Sequence, residues 1–134
     1  MSNGQNTIIT EEQAEEQLNK WLTLIGQRER KIKRSAQLQA LKENLIDAIL
    51  DGDVRFSDDN EIIYTLRFPV DTTKEIKIKN RVKMRKLIKF SDDDDGFTKA
   101  TKALSARTGI ATLIIDEFED IDYNFAIGLL GFFA

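Results

Sequence analysis

The spacing of apolar residues changes twice along this 134-residue chain, and that change constrains the fold more than any other feature. Before Gly52 the apolar residues recur at helical spacing, the pattern of a helix that buries one face. Between Val54 and Ile78 they alternate with polar residues, as in a half-buried strand. After Asn80 the helical spacing returns. The sequence therefore predicts an α+β fold with a small sheet between two helical parts.

Two helices are predicted before the sheet. Thr10 and Gln13 have the spacing of a capping box, in which each side chain bonds the backbone N–H of the other residue. The first helix has an apolar stripe and stops near Gly26. The second runs over about 35–50, with Gly52 at a C-cap position. The stripes are Ala14, Leu18, Trp21, Leu22 and Ile25, and then Leu38, Leu41, Leu45, Ile46 and Ile49. Either an antiparallel helical hairpin or one long helix through Gly26 fits this pattern.

The middle of the chain predicts three short antiparallel strands in a meander with one solvated face. The second strand is predicted to end at Pro69–Thr73, where turn residues begin. Such a sheet needs helices on its apolar face to be stable. The residues expected on that face are Val54 and Phe56, then Ile62, Tyr64, Leu66 and Phe68, then Ile76 and Ile78.

The last part of the chain predicts helices that pack on the sheet. A helical pattern begins at Asn80, and Asp95 is placed to cap a helix over about 96–107, which Thr108-Gly109 ends. The buried faces are expected to include Val82, Met84, Leu87 and Ile88, and in the final helix Phe125, Leu129 and Phe132. We predict a flexible leader over 1–9 and a single domain over 10–134. Within it, 10–52 is a helical arm, 53–79 the sheet and 80–134 the helical part.

The residue types that carry most enzyme chemistry are missing. The chain contains no histidine and no cysteine, which excludes Ser-His-Asp and Cys-His sites and zinc–thiolate centres. We therefore predict that the protein is not an enzyme and takes no metal or cofactor. Its N-terminus lacks the basic and apolar regions of a signal peptide, and no apolar run approaches a membrane span. A cytoplasmic protein without a membrane partner is expected.

Two acidic segments are candidate sites. If the aspartates at 92–95 belonged to a calcium loop, Ser91 and Lys102 would occupy its first and last ligand positions, and neither fits. The run is better explained as a solvated loop that starts a helix. The second segment could supply paired carboxylates for acid–base chemistry, but a polar face beside an apolar helix start is favoured. It comprises Asp116, Glu117, Glu119, Asp120 and Asp122.

Charge is divided unevenly along the chain. Residues 74–89 carry eight basic side chains and one acid, whereas residues 90–134 carry nine acids and three bases. Blocks of opposite sign can bind nucleic acid, steer a protein partner, or pair between copies of one chain. Nucleic acid is the less favoured partner, because the net charge is −3 and aromatic residues do not alternate with the lysines. Residues 124–134 carry no charge, so that segment is either core or a surface for a partner.

The second half of the chain resembles the small tail assembly chaperones of long-tailed bacteriophages. The resemblance lies in Leu66-Arg67-Phe68-Pro69 at the end of a strand, in Arg107-Thr108-Gly109-Ile110, and in a final helix from Ile121-Asp122-Tyr123-Asn124 to Gly131-Phe132-Phe133. It covers about residues 60–134 in the order and spacing of the family and does not extend to residues 10–56.

The resemblance implies a non-catalytic protein that binds the tape measure protein or tail tube subunits in the host cytoplasm, self-associates, and is absent from the mature virion. The alternatives are a nucleic-acid-binding regulator that uses 28–34 and 74–89, and a structural tail component. The expected partner contacts are Phe125, Leu129, Leu130, Phe132 and Phe133, with Lys79, Arg81, Lys83, Arg85 and Lys86 as a second surface.

Overall fold

The computed structural model describes residues 9–83 and 94–133. Its elements confirm the predicted α+β class, with six α-helices and a three-stranded antiparallel sheet in those ranges. They are α1 (Glu11–Leu24), α2 (Glu29–Lys33), α3 (Ala36–Asp51), β1 (Val54–Phe56), β2 (Ile62–Val70), β3 (Thr73–Ile78), α4 (Gly96–Thr108), α5 (Thr112–Ile115), α6 (Asp120–Leu130) and a closing 3₁₀ turn (Gly131–Phe133). No helix within these ranges is both long and apolar enough to cross a bilayer.

Helices α1 and α3 begin and end where the caps predict, whereas the short α2 between them was not predicted. The Thr10 hydroxyl accepts from the Gln13 amide at 3.1 Å, and the Gln13 side chain accepts from the Thr10 amide at 3.0 Å. Gly26 has φ +87°, a left-handed conformation that a continuing helix cannot adopt. The alternative of one long helix is therefore wrong. The chain enters the short α2 instead, and α3 then packs against α1. Ile9, the last residue of the predicted leader, is half-buried against the core.

The sheet has the predicted meander order β1-β2-β3, with Tyr64 opposite both Val54 and Ile76. The strand ends at Val70, within the predicted range Pro69–Thr73, and Pro69 is tolerated in it because β1 pairs only with residues 62–64 and leaves that edge of β2 free of ladder bonds. One expectation about β2 is wrong. Phe68 is 53% exposed, because the pairing with β3 becomes irregular between Thr65 and Val70 and the alternation of faces is lost there.

The C-terminal helices cover the apolar face of the sheet, as predicted. Asp95 caps α4 by accepting from the Thr98 amide at 2.7 Å, and Gly109 ends it at φ +77°. Helix α4 contacts β3 and α6 contacts β2. Residues 80–83 are not helical, so the predicted helix does not begin at Asn80. Met84, Leu87 and Ile88 lie outside the described residues.

A single apolar core contains residues from the N-terminal helices, the sheet and the C-terminal helices. Trp21 of α1 makes an edge-to-face contact with Phe132, at 5.6 Å between ring centroids. The core also contains Leu18, Leu45, Ile62, Ile76, Ile78, Leu104 and Ile115, each almost fully buried. The C-terminal turn is thus part of the core on which the N-terminal helices rest.

Candidate functional site: an apolar rim and a basic cleft

The structure divides the predicted apolar contact residues between core and surface. Leu129 is 3% exposed and Phe132 is 1% exposed, and both belong to the core. Phe125, Leu130 and Phe133 are half-buried at its edge. A partner therefore meets only part of this segment without displacing core residues. The role of these five side chains in binding stays a prediction.

Asp122 is the most deeply buried charged residue among those described, at 0% exposure. Its Oδ1 accepts from the Tyr64 hydroxyl at 2.7 Å and from the Arg67 amide at 3.0 Å, and its Oδ2 accepts from the Phe68 amide at 3.0 Å. A buried carboxylate is tolerated only when its oxygens are hydrogen-bonded, and here both are. Burial and the neighbouring carboxylate raise the pKa of Tyr64 above its ordinary value. This carboxylate joins α6 to the irregular end of β2.

The expectation that Asp122 lies on a solvated polar face is therefore wrong, although the four other acids of that segment are exposed. A signal for this was present in the sequence. Asp122, Ala126 and Leu129 are spaced i, i+4, i+7, which is the buried stripe of α6. An acid on an apolar stripe needs donors from a neighbouring element, and β2 provides them.

An apolar rim surrounds the first half of α6, because Asp122 fixes the end of β2 beside that helix. We define the rim as Phe68, Phe97, Ile121 and Tyr123. Phe97 is 56% exposed, and its ring stacks on Tyr123 with centroids 5.0 Å apart. The Tyr123 hydroxyl is within hydrogen-bond distance of the buried Thr101 hydroxyl, at 2.9 Å. Phe68 and Ile121 are also exposed. The rim thus offers four large side chains, of which Phe97 and Tyr123 are held by their mutual stacking.

A basic cleft of about 460 Å³ lies on another part of the surface. Residues from the end of α1, from α2, from the segment after β3, from α4 and from the C-terminal turn line it. Its basic residues are Arg28, Lys31, Arg81 and Arg107, and its apolar residues are Ile25, Val82, Phe132 and Phe133. No acidic residue of the described ranges lines this cleft. The cleft therefore combines positive charge with an apolar wall.

Arg107 is held in place at the end of α4. Its guanidinium lies over the Phe133 ring, with Cζ 3.8 Å from the centroid, and Nη1 donates to the Lys79 carbonyl at 2.9 Å. The Lys79 amide in turn donates to the Arg107 carbonyl at 2.9 Å. Burial lowers the pKa of Arg107, but an arginine stays charged at neutral pH. The cleft thus contains an immobilised cation.

Asn80 positions the wall of the cleft that carries Arg81. Its Oδ1 accepts from Trp21 Nε1 at 2.8 Å, its Nδ2 donates to the Asn60 carbonyl at 3.0 Å, and its amide donates to Glu61 at 2.7 Å. These bonds hold the chain that follows β3 against α1. Arg81 then donates to the Leu24 carbonyl at 3.1 Å. No pattern in the sequence indicates this role for Asn80, since its partners are distant along the chain.

The predicted basic contact residues are only partly brought together. Lys79, Arg81 and Lys83 are exposed, and of these Arg81 lines the cleft. Arg85 and Lys86 lie outside the described residues. Sequence reasoning missed that Arg107 and Arg28 meet Arg81 beside Phe133, because the four residues come from separate elements.

Metal coordination finds no support in residues 9–83 and 94–133, where no group of three or more acidic, histidine or cysteine side chains could hold an ion. Comparison of the chain with known protein families, with curated proteins and with solved structures gave no match.

Proposed function

We propose that this protein is a non-catalytic assembly chaperone of phage tail morphogenesis that binds the tape measure protein or tail tube subunits. The observation that carries the proposal is the apolar rim, in which exposed aromatic and aliphatic side chains lie around the start of α6. A chaperone for a long helical client needs an exposed apolar surface that does not collapse into its own core.

The rim supports a contact at the beginning of α6 rather than at its end. Leu129 and Phe132 are core residues, whereas Phe68, Phe97 and Ile121 are exposed. Clustered aromatic side chains on a rigid support are the usual anchors of protein interfaces, because little conformational entropy is lost when they bind. In this proposal the client presents the apolar face of a helix to the rim.

Co-expression with the candidate tape measure protein tests the proposal. The wild-type protein is expected to give a soluble complex. The double variant Phe68→Ser, Ile121→Ser should bind at least about tenfold more weakly, since two anchors are lost. Leu24→Ser, Leu50→Ser is the matched control, because both residues are exposed but lie outside the rim. A client that stays insoluble with wild-type protein in excess would contradict the proposal, as would equal binding by the rim variant.

The proposed location is the host cytoplasm, and the proposed chaperone leaves the particle before assembly is complete. Mass spectrometry of purified particles separates this role from that of a structural tail component. Absence of the chain from particles is expected. Its presence in stoichiometric amounts would favour the structural role instead.

A nucleic-acid-binding regulator is the second candidate, and the basic cleft is the observation that favours it. Arg28, Arg81 and Arg107 converge there beside Phe133, and arginines next to an aromatic ring can bind the backbone and bases of a single strand. A salt-dependent gel mobility shift decides the question. Failure to bind duplex or single-stranded DNA or RNA at low salt removes this candidate.

A further inference from the structure

An acidic ridge lies on the outer face of α5 and the chain that follows it. Leu113 is 78% exposed, and Asp116 and Glu117 follow at i+3 and i+4. Backbone bonds extend the helical turn, from the Asp116 amide to Thr112 at 2.9 Å and from the Glu117 amide to Ile114 at 3.0 Å. The three side chains therefore share one face. We define the acidic ridge as Leu113, Asp116, Glu117, Glu119 and Asp120.

The opposite face of the same turn is anchored in the core. Ile115 and Phe118 are buried, and Ile114 is packed against them from the edge. Leu113 therefore remains exposed because the turn cannot rotate it inward without exposing Ile115. The ridge is a fixed surface that combines an exposed leucine with carboxylates.

The four acids of the ridge and three arginines of the cleft, Arg28, Arg81 and Arg107, form no ion pair within the described part of the chain. No ion pair joins the two surfaces within one molecule. The chain thus carries two surfaces of opposite charge, each with an apolar component.

We propose that the basic cleft of one copy binds the acidic ridge of a second copy. Leu113 packs against Ile25, Val82 and Phe133, while the carboxylates of Asp116 and Glu117 accept from the cleft guanidiniums. The two surfaces are complementary because the cleft is basic, the ridge is acidic, and each has an apolar part that the other can cover. Arg107 is already fixed by Phe133 and the Lys79 carbonyl, so binding restricts it little further.

The two surfaces differ, so the contact is heterologous. A dimer keeps one free cleft on one copy and one free ridge on the other, so the association can continue as a head-to-tail chain of copies. It must weaken with salt, because exposed charges are screened over a few ångströms at high ionic strength.

Sedimentation velocity of the full chain tests the inference across protein concentration, at about 50 mM and 500 mM salt. We expect mass above that of the 15.3 kDa monomer at low salt and return toward the monomer at high salt. The variants are a cleft reversal, Arg28→Glu with Arg81→Glu, and a ridge reversal, Asp116→Lys with Glu117→Lys. Each alone should weaken association at least about tenfold, because like charges then face each other.

Mixing the two variants gives the sharpest test. The ridge-reversed copy keeps a normal cleft and the cleft-reversed copy keeps a normal ridge, so an equimolar mixture should recover the association that each variant alone has lost. Charge reversals in exposed positions elsewhere are the matched controls: Glu15→Lys with Glu16→Lys, and Lys20→Glu with Lys99→Glu. They should associate like wild type. Far-ultraviolet circular dichroism must show that all variants remain folded.

Three outcomes would overturn the inference. They are a wild-type monomer at every concentration in low salt, unaltered association of both reversed variants, and failure of their mixture to associate. A monomer that binds a fluorescent oligonucleotide through Arg28 and Arg81 would instead assign the cleft to nucleic acid.

Discussion

Asp122 and Arg107 are both ionisable groups withdrawn from water, but the protein uses them differently. Asp122 is completely buried, and three donors occupy its two oxygens. Arg107 is half-buried and donates through Nη1 to a backbone carbonyl, while its guanidinium lines an open cleft. A buried charge whose two oxygens are both hydrogen-bonded fixes the fold, whereas a fixed charge that still borders solvent can meet a ligand.

The largest effect is expected from Asp122→Ala, which leaves the buried Tyr64 hydroxyl and the partly buried amides of Arg67 and Phe68 without their acceptor. The free energy of unfolding should fall by about 3–5 kcal/mol in urea denaturation. Asp122→Asn should lose less, because one acceptor oxygen remains. Asp120→Ala, at an exposed neighbour, is the control and should change stability little. A loss below about 1 kcal/mol for Asp122→Ala would contradict the view that Asp122 stabilises the fold whereas Arg107 serves the cleft.

Asn80→Ala should have the next largest effect, because it leaves Trp21 Nε1 and the Asn60 carbonyl without their partner. We expect a loss of about 2 kcal/mol in thermal or urea unfolding. The control Asn19→Ala removes an exposed amide from α1 and should be nearly neutral. Equal stability of the two variants would show that Asn80 does not hold the cleft wall.

Alkaline pH tests the pairing of Tyr64 with Asp122. The pKa of Tyr64 is raised in the folded protein, so the folded state holds this proton more tightly than the unfolded chain. The stabilisation is complete below the ordinary tyrosine pKa of about 10 and is lost above it, at up to about 1.4 kcal/mol per pH unit. Urea unfolding from pH 8 to 11 measures this slope. Tyr64→Phe should reduce it, and an unchanged slope would contradict the assignment.

Arg107→Lys should have the smallest effect on stability, about 1 kcal/mol, through loss of the planar stack on Phe133. Its effect on self-association should be larger than its effect on folding, since lysine keeps the charge but not the fixed position. Sedimentation and urea unfolding of the same sample separate the two. Lys99→Arg, in the exposed part of α4, is the control.

The elements that the sequence predicted are those whose signals are local. The capping residues Thr10 and Asp95, and the glycines at 26, 52 and 109, mark helix ends because they act within one turn. The errors arose where tertiary contacts override local pattern. The segment after Asn80 has helical spacing, yet Trp21 and Glu61 bind Asn80 and its start is not helical.

The candidate sites were less predictable than the fold. Phe125 and Phe133 were expected at a partner surface and lie at the edge of the core, whereas Phe68 and Phe97 were not singled out as contacts and are exposed. Hydrophobicity identifies residues that avoid water but does not say which of them the core has room for. The irregular end of β2 left Phe68 outside, and no property of its neighbours in sequence specifies that.

The sequence by itself determined the class of fold, the three strands, the longer helices and most of their ends, because periodicity and capping depend on residues a few positions apart. Only the tertiary structure decided that Asp122 would be buried against Tyr64, 58 residues away, and that Arg28, Arg81 and Arg107 would share one cleft. Such contacts depend on how whole elements pack. The same acid is a solvated charge or a structural anchor according to the donors that packing places beside it.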